Sequence, residues 1–226
     1  MAFKNFKVET DADGIVLVTW DTPGRSMNVL DETSVNELEA IVKQTSADAA
    51  VKGVVITSGK EALCAGADLS MLEAMSRQYA DVLKAKGEVE ANQMLFDQSR
   101  RISQVYRNIE TSGKPWVAAI NGLALGGGFE LTLCCHYRVA ADNPKTRLGL
   151  PEIKVGLFPG AGGTQRVPRI VSPQDAMQLL LKGEAINLAK AKALKLIDAI
   201  VPAADLITAA KDWIKGGGKA VAPWDT

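Results

Sequence analysis

The pattern of apolar and polar residues changes its period several times along the chain, and each change predicts a different element. Short β-branched and apolar runs bounded by turn residues predict buried strands. These runs are Ile15–Trp20 (IVLVTW), 54–57 (VVIT), Trp116–Ile120 (WVAAI) and 137–140 (YRVA). Between the first two runs, a helical period predicts a helix from Asp31 or Thr33 to about Thr45. Its apolar face consists of Val35, Leu38, Ile41 and Val42.

Helical periods dominate much of the remaining sequence. The range 71–108 is highly charged but regularly apolar, which predicts one or two long amphipathic helices. Ser172 and Pro173 are typical of a helix start, and Gly183 is typical of a helix end. A last helix is predicted over 204–215.

Strands and helices alternate in an order that indicates the α/β class. The chain has 226 residues, enough for one large domain with a substantial core. Because no clear linker precedes residue 215, we predict one domain over residues 1–215. Residues 216–226, which begin with three glycines, are predicted to be a tail or the start of a linker to a further region.

Charge and cysteine content limit the possible binding partners and the cellular compartment of the protein. The chain has 26 basic and 26 acidic residues, so it has no global field that would gather nucleic acid or an anionic membrane. Its apolar runs fall far short of the about 20 residues that span a bilayer, and its start lacks the apolar segment of a signal peptide. Together with an odd cysteine set that lacks disulfide spacing, these features predict a cytoplasmic protein with reduced core thiols at Cys64, Cys134 and Cys135.

The segment NGLALGGGFELTL, residues 121–133, places three glycines before an apolar run that contains one acid, Glu130. A helix that begins at Gly127 or Gly128 would leave backbone N–H groups unpaired at its positive end. Without Cβ atoms, these glycines allow a ligand oxygen to approach the N–H groups. The alternative is a tight turn that only packs a strand against a helix, because isolated glycine clusters are weak signals.

Two further segments favour a chemical role. CAGADL, residues 64–69, follows the strand at 54–57 and offers another loop of small residues. LPEIKVGLFPGAGGTQRVPR, residues 150–169, offers a second acid, Glu152, ahead of a glycine-rich turn. Two backbone donors and two carboxylates are the groups that enolate chemistry on a thioester requires. The donors stabilise the carbonyl oxygen and the acids transfer protons.

In combination, A-G-A-D, N-G-x-A-x-G-G-G-x-E and P-E-x-x-x-G-x-x-P-G-x-G-G-T-Q-R resemble the crotonase superfamily of enoyl-CoA hydratases and isomerases, over about residues 8–212. Together with TWDTPGRSMNVL and AVAPWDT, they look most like the amino-terminal hydratase/isomerase region of multifunctional fatty-acid oxidation proteins. The resemblance implies a spiral of repeated ββα units with helices packed around it. It also implies an acyl-CoA substrate, and either a homo-oligomer, a trimer among stand-alone members, or a place in a larger multifunctional polypeptide.

The same resemblance implies roles for individual residues. The N–H groups of Ala67 and Gly127 would form the oxyanion hole for the thioester carbonyl. Glu152 would exchange the proton at Cα, and Glu130 would help to activate water for attack at Cβ. Arg25 would approach a phosphate of CoA. The CoA groove as a whole would be lined by Arg25, Ser26, Met27, Ala65 and Leu69.

The sequence departs from the family pattern at three places. Glu130 and Glu152 are two residues further apart than is usual, and the turn-rich range 142–145 is expected to absorb the excess. Phe129 replaces a small residue, which would either narrow the pocket or repack the core. Lys195 stands where the family usually has a glycine at a helix end, at a modest structural cost.

With both acids and both donor loops present, the resemblance implies hydration of trans-2-enoyl-CoA to 3-hydroxyacyl-CoA in fatty-acid β-oxidation. Two alternatives stay open: a Δ3-Δ2-enoyl-CoA isomerase, and a catalytically weak acyl-CoA-binding domain of a larger protein. We expect no cofactor, since CoA is part of the substrate, and no metal site, since the sequence has no His or carboxylate cluster at ligand spacing. The only histidine, His136, is expected to have a structural or surface role rather than a catalytic one.

Overall fold

The computed structural model describes residues 3–225, in which short strands alternate with helices. The strands are β1 (Phe6–Thr10), β2 (Ile15–Trp20), β3 (Gly53–Ser58), β4 (Trp116–Ile120), β5 (Ala124–Leu125), β6 (Tyr137–Ala141), β7 (Leu148–Gly149) and β8 (Ala199–Val201). The main sheet has the order β1-β2-β3-β4-β6-β8. Strand β1 is antiparallel to β2, whereas the other neighbours are parallel. A second, parallel pair consists of β5 and β7.

The helices cover both faces of the main sheet. They are α1 (Glu32–Ala47), α2 (Leu69–Lys86), α3 (Glu88–Glu110), α4 (Gly127–Leu133), α5 (Gly163–Ile170), α6 (Pro173–Lys182), α7 (Leu188–Ala193) and α8 (Leu206–Lys215). Short 3₁₀ turns occur at Pro151–Val155 and Ala203–Asp205. In the described part of the chain, none of these helices is both long and apolar enough to cross a membrane.

The central strands are buried because helices lie on both sides of them. In β3, Val54 and Ile56 point into the larger core, whereas Val55 points to the opposite face. There it packs against a layer that includes Leu206 and Ile214 of α8. Side chains alternate across a strand, so a strand covered on both faces is apolar at every position. This explains why VVIT has no polar alternation.

The structure confirms the α/β class and the strands and helices predicted from the apolar pattern. Helix α1 begins after Asp31, whose carboxylate accepts a hydrogen bond from the N–H of Ser34. The range 71–108 forms two helices that meet at Gly87. The pattern missed β1, an edge strand with one buried residue, as well as the two- or three-residue strands and α5 and α7. The two- and three-residue strands are too short to have a local period, and β1 has too few buried residues to form an apolar run.

Two smaller expectations are also confirmed. Lys195, just after α7, has φ of 59° and is the only non-glycine residue with positive φ in residues 3–225. The left-handed conformation is costly for a residue with a Cβ, so the structural cost predicted for this position is present. Cys64, Cys134 and Cys135 are all buried and free. The division of the chain at residue 215 stays a prediction, although Ala222 is buried against the domain.

His136 bridges backbone groups at the edge of the core. Its Nδ1 accepts a hydrogen bond from the N–H of Trp116 (3.0 Å), and its Nε2 lies 3.1 Å from the carbonyl oxygen of Glu110. The neutral tautomer with the proton on Nε2 satisfies both contacts. Burial lowers the pKa of His136 below its usual value. The imidazole therefore has the structural role expected from the sequence.

The depressed pKa of His136 predicts how stability depends on pH. In the unfolded chain the ring titrates near pH 6.5, so the unfolded state binds the proton first as the pH falls. The stabilisation by neutral His136 is therefore complete above about pH 6.5 and declines as the pH falls towards the folded-state pKa. Glu130, whose folded-state pKa is raised to about 7, contributes with the opposite sign, because its stabilisation is lost as the pH rises from about 4.5 to 7.

A comparison of the wild type with His136→Asn isolates the contribution of His136 to stability, because Glu130 is present in both proteins. The asparagine oxygen can replace Nδ1 as an acceptor but cannot titrate. We expect urea denaturation at pH 8 to show the variant less stable by about 1 kcal/mol, the value of one lost hydrogen bond. The difference should shrink between pH 6.5 and pH 5. A difference that is constant with pH would contradict the depressed pKa.

Candidate functional site

Pairing of β5 with β7 brings two distant parts of the chain together. Leu125 lies opposite Gly149, and the N–H of Gly126 donates to the carbonyl oxygen of Gly149 (2.9 Å). The glycine triplet therefore starts beside the point where the chain continues from β7 into the 3₁₀ turn Pro151–Val155, which contains Glu152. The register of this small sheet sets the position of Glu152 relative to the glycines.

Gly126 lies between the Glu152 carboxylate and a second loop. A Cβ at this position would lie 3.0 Å from Oε1 of Glu152 and 3.6 Å from the Cα of Gly66. The backbone of Gly126 also has φ of 52° and ψ of −131°, a region that favours glycine. Both the close approach and the backbone conformation therefore require glycine. As a result, the CAGADL loop and Glu152 both lie at the start of α4.

Two backbone N–H groups at this point have no hydrogen-bond acceptor within residues 3–225. At the start of α4, the N–H groups of Phe129 and Glu130 both donate to the carbonyl oxygen of Gly126 (2.8 and 3.0 Å), but that of Gly127 is unpaired. In the CAGADL loop, the N–H of Asp68 donates to Leu30 (2.8 Å), but that of the exposed Ala67 is unpaired. Unpaired N–H groups on two adjacent loops can bind one oxygen that gains negative charge.

Glu130, on the first turn of α4, is 1% exposed. Its Oε1 accepts hydrogen bonds from the N–H groups of Ala161 (2.9 Å) and Gly163 (2.7 Å). Its Oε2 lies 3.8 Å from the position that a Cβ on Gly127 would occupy. Burial raises the pKa of Glu130 to about 7, with a further increase from the charge of Glu152, and the two N–H groups oppose this shift. The carboxyl group can therefore exist in both protonation states near neutral pH.

Glu152 occupies the other side of the glycine triplet. Its Oε2 is buried and has no hydrogen-bond partner among the described residues. Burial raises the pKa of Glu152 as well. Two carboxyl groups whose pKa values are raised by burial, near unpaired backbone donors, can act as a general acid and a general base.

The range 142–145, which is expected to absorb the two additional residues between Glu130 and Glu152, forms a turn. At the end of β6, the N–H of Asp142 donates to Val201 (2.7 Å). Asn143 then forms a turn by accepting hydrogen bonds from the N–H groups of Lys145 and Thr146 (2.9 and 3.0 Å). The chain rejoins the site through β7. That this turn absorbs the excess length stays a prediction, while Oε1 of Glu152 lies beside Gly126.

The residues predicted for a CoA groove lie at the same end of the molecule. Ser26, Met27 and Leu69 are exposed, and Ala65 is partly buried. The Arg25 guanidinium is paired with Asp68 (2.6 Å). Hydrogen bonds from Ser70 and Arg25 lower the pKa of Asp68 to about 2. A phosphate contact by Arg25 would therefore compete with this exposed ion pair.

The sequence left several supporting residues unidentified. The N–H groups of Ala161 and Gly163 hold Glu130, and the hydroxyl of buried Tyr106 donates to the carbonyl oxygen of Gly127 (2.7 Å). Of these residues, only the loop that contains Ala161 and Gly163 could have been found from the sequence, because its glycine-rich stretch GAGG indicates exposed backbone donors. Phe129 is 1% exposed and belongs to the larger apolar core. Among residues 3–225, no cluster of three potential metal ligands is present.

Comparisons with known proteins show which family the chain resembles. The sequence matches the family model "Enoyl-CoA hydratase/isomerase" over residues 10–218. It is 31% identical to a crystallised enoyl-CoA hydratase from Bacillus anthracis, with a TM-score of 0.77 and coverage of 94% of this chain and 76% of that one. It is 39% identical to the fatty acid oxidation complex subunit alpha of Shewanella frigidimarina over 97% of this chain, and 40% identical to that of Idiomarina loihiensis over 92%.

The chain spans only part of the curated relatives that it matches. It covers 29% of the length of the Shewanella frigidimarina subunit and 27% of the Idiomarina loihiensis subunit. The matched part contains both donor loops and both acids.

Proposed function

Because this chain belongs to the enoyl-CoA hydratase/isomerase family, we propose that it hydrates trans-2-enoyl-CoA to 3-hydroxyacyl-CoA in fatty-acid β-oxidation. The crotonase-like fold predicted from the sequence is confirmed by the same matches. The observation that carries the proposal is the approach of two carboxyl groups, Glu130 and Glu152, to the glycine triplet with an unpaired N–H at Gly127. An isomerase requires one proton-transferring acid, whereas hydration benefits from a second one that activates water.

The proposed mechanism uses the two N–H groups as an oxyanion hole. The thioester oxygen accepts hydrogen bonds from Ala67 and Gly127, which stabilise the negative charge that develops when the double bond is attacked. These donors are part of the folded backbone, so they need little reorganisation as charge develops. The CoA part of the substrate would lie along Arg25, Ser26, Met27, Ala65 and Leu69.

The two acids divide the proton transfers. Ionised Glu130 removes a proton from water while the water oxygen bonds to Cβ, and the electrons of the double bond move towards the thioester oxygen. Protonated Glu152 then donates a proton to Cα as the enolate-like state collapses. The product contains both parts of one water molecule, and one proton must return from Glu130 to Glu152. No metal or redox cofactor takes part in the proposed reaction.

The proposal extends to assembly and compartment. The chain would act in the cytoplasm without nucleic acid or membrane partners. It would act either as a homo-oligomer or within a larger multifunctional polypeptide, as the name of the curated relatives suggests. Sedimentation of the purified chain tests whether it forms a homo-oligomer.

The replacement Glu130→Gln distinguishes hydration from isomerisation. Glutamine keeps an oxygen that can accept the hydrogen bonds of Ala161 and Gly163, but it cannot remove a proton from water. We expect hydration of crotonyl-CoA to fall by about 10²- to 10⁴-fold, the usual contribution of one acid–base group. Isomerisation of a 3-enoyl-CoA should decline far less, because it depends on Glu152. Loss of the enoyl absorbance and formation of the conjugated product measure the two rates.

Each alternative gives a different result. Equal losses of both activities in Glu130→Gln would show that Glu130 is not specific to hydration. A wild-type protein that catalyses isomerisation alone would be an isomerase. A wild-type protein that is stabilised against heat by an acyl-CoA, but converts neither substrate, would be a binding domain.

A further inference from the structure

A buried ion pair lies directly behind the loop that holds Glu130. The Nε of Arg166, on α5, donates to Oε1 of Glu110 at the end of α3 (2.6 Å). Their side chains are 7% and 2% exposed. Burial of two charges has a large desolvation cost, so a buried pair is weak evidence for a purely stabilising role.

The Arg166 guanidinium connects this ion pair to the candidate acid. Its Nη1 donates to the carbonyl oxygen of Ala161 (2.8 Å). The N–H of Ala161 in turn donates to Oε1 of Glu130 (2.9 Å). Gly162 has φ of 102°, and a Cβ there would overlap Nη1. The loop therefore folds around the guanidinium, and its N–H groups face Glu130 on the other side.

We propose that Arg166, held in place by Glu110, is a positioning residue that fixes the 161–163 loop and thereby orients the Glu130 carboxyl group for proton transfer. The inference rests on the proposed function, because it assigns this role for the same reaction. A planar guanidinium with two donors in fixed directions suits this task better than an ammonium group, because it can bind the carboxylate and the loop carbonyl at once.

The charges around Glu130 support the same role. The groups that face it are Glu152 from the 3₁₀ turn, Arg166 from α5 and Tyr106 from α3. Buried Tyr106 is neutral because burial raises its pKa. The charge of Arg166 lowers the pKa of Glu130, and that of Glu152 raises it. Loss of Arg166 should therefore raise the pKa of Glu130 further.

Arg107 provides a matched control because it binds the same acid without contacting the loop. It donates to Oε2 of Glu110 (3.0 Å) and forms two hydrogen bonds to Asp225 (2.6 and 2.7 Å). Arg107→Gln removes one partner of Glu110 but leaves the pair with Arg166 in place. Its effects therefore measure disturbance of the ion-pair network in general.

The test compares three variants with the wild type. Glu110→Gln/Arg166→Gln removes both charges, so no lone buried charge is left to unfold the protein. Arg166→Lys keeps the charge but can reach only one of the two partners, and Arg107→Gln is the control. Steady-state hydration gives kcat and KM as functions of pH. A ¹³C NMR titration of the glutamate carboxyl groups, with the Glu130 signal assigned from Glu130→Gln, gives the pKa without requiring turnover.

In the double variant we expect kcat to fall by about tenfold to a hundredfold, the effect of a small misplacement of a reacting group. KM should stay unchanged, and the midpoint of the Glu130 titration, which gives its pKa, should rise. Arg166→Lys should have an intermediate kcat and a midpoint near that of the wild type. Arg107→Gln should be less stable than the wild type, with kcat and the pKa of Glu130 unchanged.

Two outcomes would overturn the inference. One is a folded double variant with wild-type kcat and midpoint, and the other is an equal shift in Arg107→Gln. If the wild type converts neither substrate, the proposed function is wrong, and the NMR titration still decides whether Arg166 controls Glu130.

Discussion

Replacement of Glu152 by glutamine is expected to remove nearly all turnover of both enoyl-CoA substrates. In hydration and in isomerisation alike, the proposed mechanism needs an acid at Cα, and Glu152 is the group assigned to it. One general acid contributes about 10²- to 10⁴-fold, so both rates should fall by that factor. This loss in both reactions contrasts with Glu130→Gln, which should impair mainly hydration. Initial rates with crotonyl-CoA and a 3-enoyl-CoA measure the two effects.

The same replacement has a second, independent effect. The charge of Glu152 raises the pKa of Glu130, so its removal should bring that pKa below about 7. The carboxyl signal of Glu130 in a ¹³C NMR titration should shift accordingly. Lys154→Gln is the matched control, because Lys154 is an exposed residue of the same 3₁₀ turn. Retention of either activity in Glu152→Gln would remove Glu152 from the mechanism, and an equal loss in Lys154→Gln would show that the turn itself was damaged.

The sequence predicted those parts of the fold and site that depend on local patterns. The run VVIT predicted β3 because a strand covered on both faces is apolar throughout. The glycine triplet predicted the start of α4, since only glycine combines unpaired N–H groups with close approach. The motif resemblance then identified Glu130 and Glu152 as partners, although local pattern alone could not place them together.

The remaining parts depend on contacts between distant residues. Strands β5 and β7 have two residues each, and neither has a period, yet their pairing places Glu152 beside Gly126. Glu110 and Arg166 are 56 positions apart on different helices, and each alone resembles an ordinary surface charge. The sequence contains the residues of this pair but no signal that they meet. Only the tertiary structure, which brings the end of α3 to α5, reveals it.

Replacement of Gly126 by alanine is expected to impair both stability and activity, for separate reasons. The backbone at Gly126, with φ of 52° and ψ of −131°, is costly for a residue with a Cβ, so we expect a loss of about 1–3 kcal/mol in the free energy of unfolding. The new Cβ would also lie 3.0 Å from Oε1 of Glu152 and displace that carboxylate. A displacement of about 1 Å lowers a rate by about 10²-fold, so kcat should fall to that extent in both reactions.

Gly113→Ala separates the two effects. Gly113 also has positive φ (71°), but a Cβ there would have no atom within 4 Å. We therefore expect this variant to lose stability and to keep wild-type kcat. Urea denaturation and steady-state kinetics on the two variants test the comparison. If Gly126→Ala retains wild-type kcat while it is destabilised, the contact between this glycine and Glu152 has no part in catalysis, and the glycine serves the turn alone.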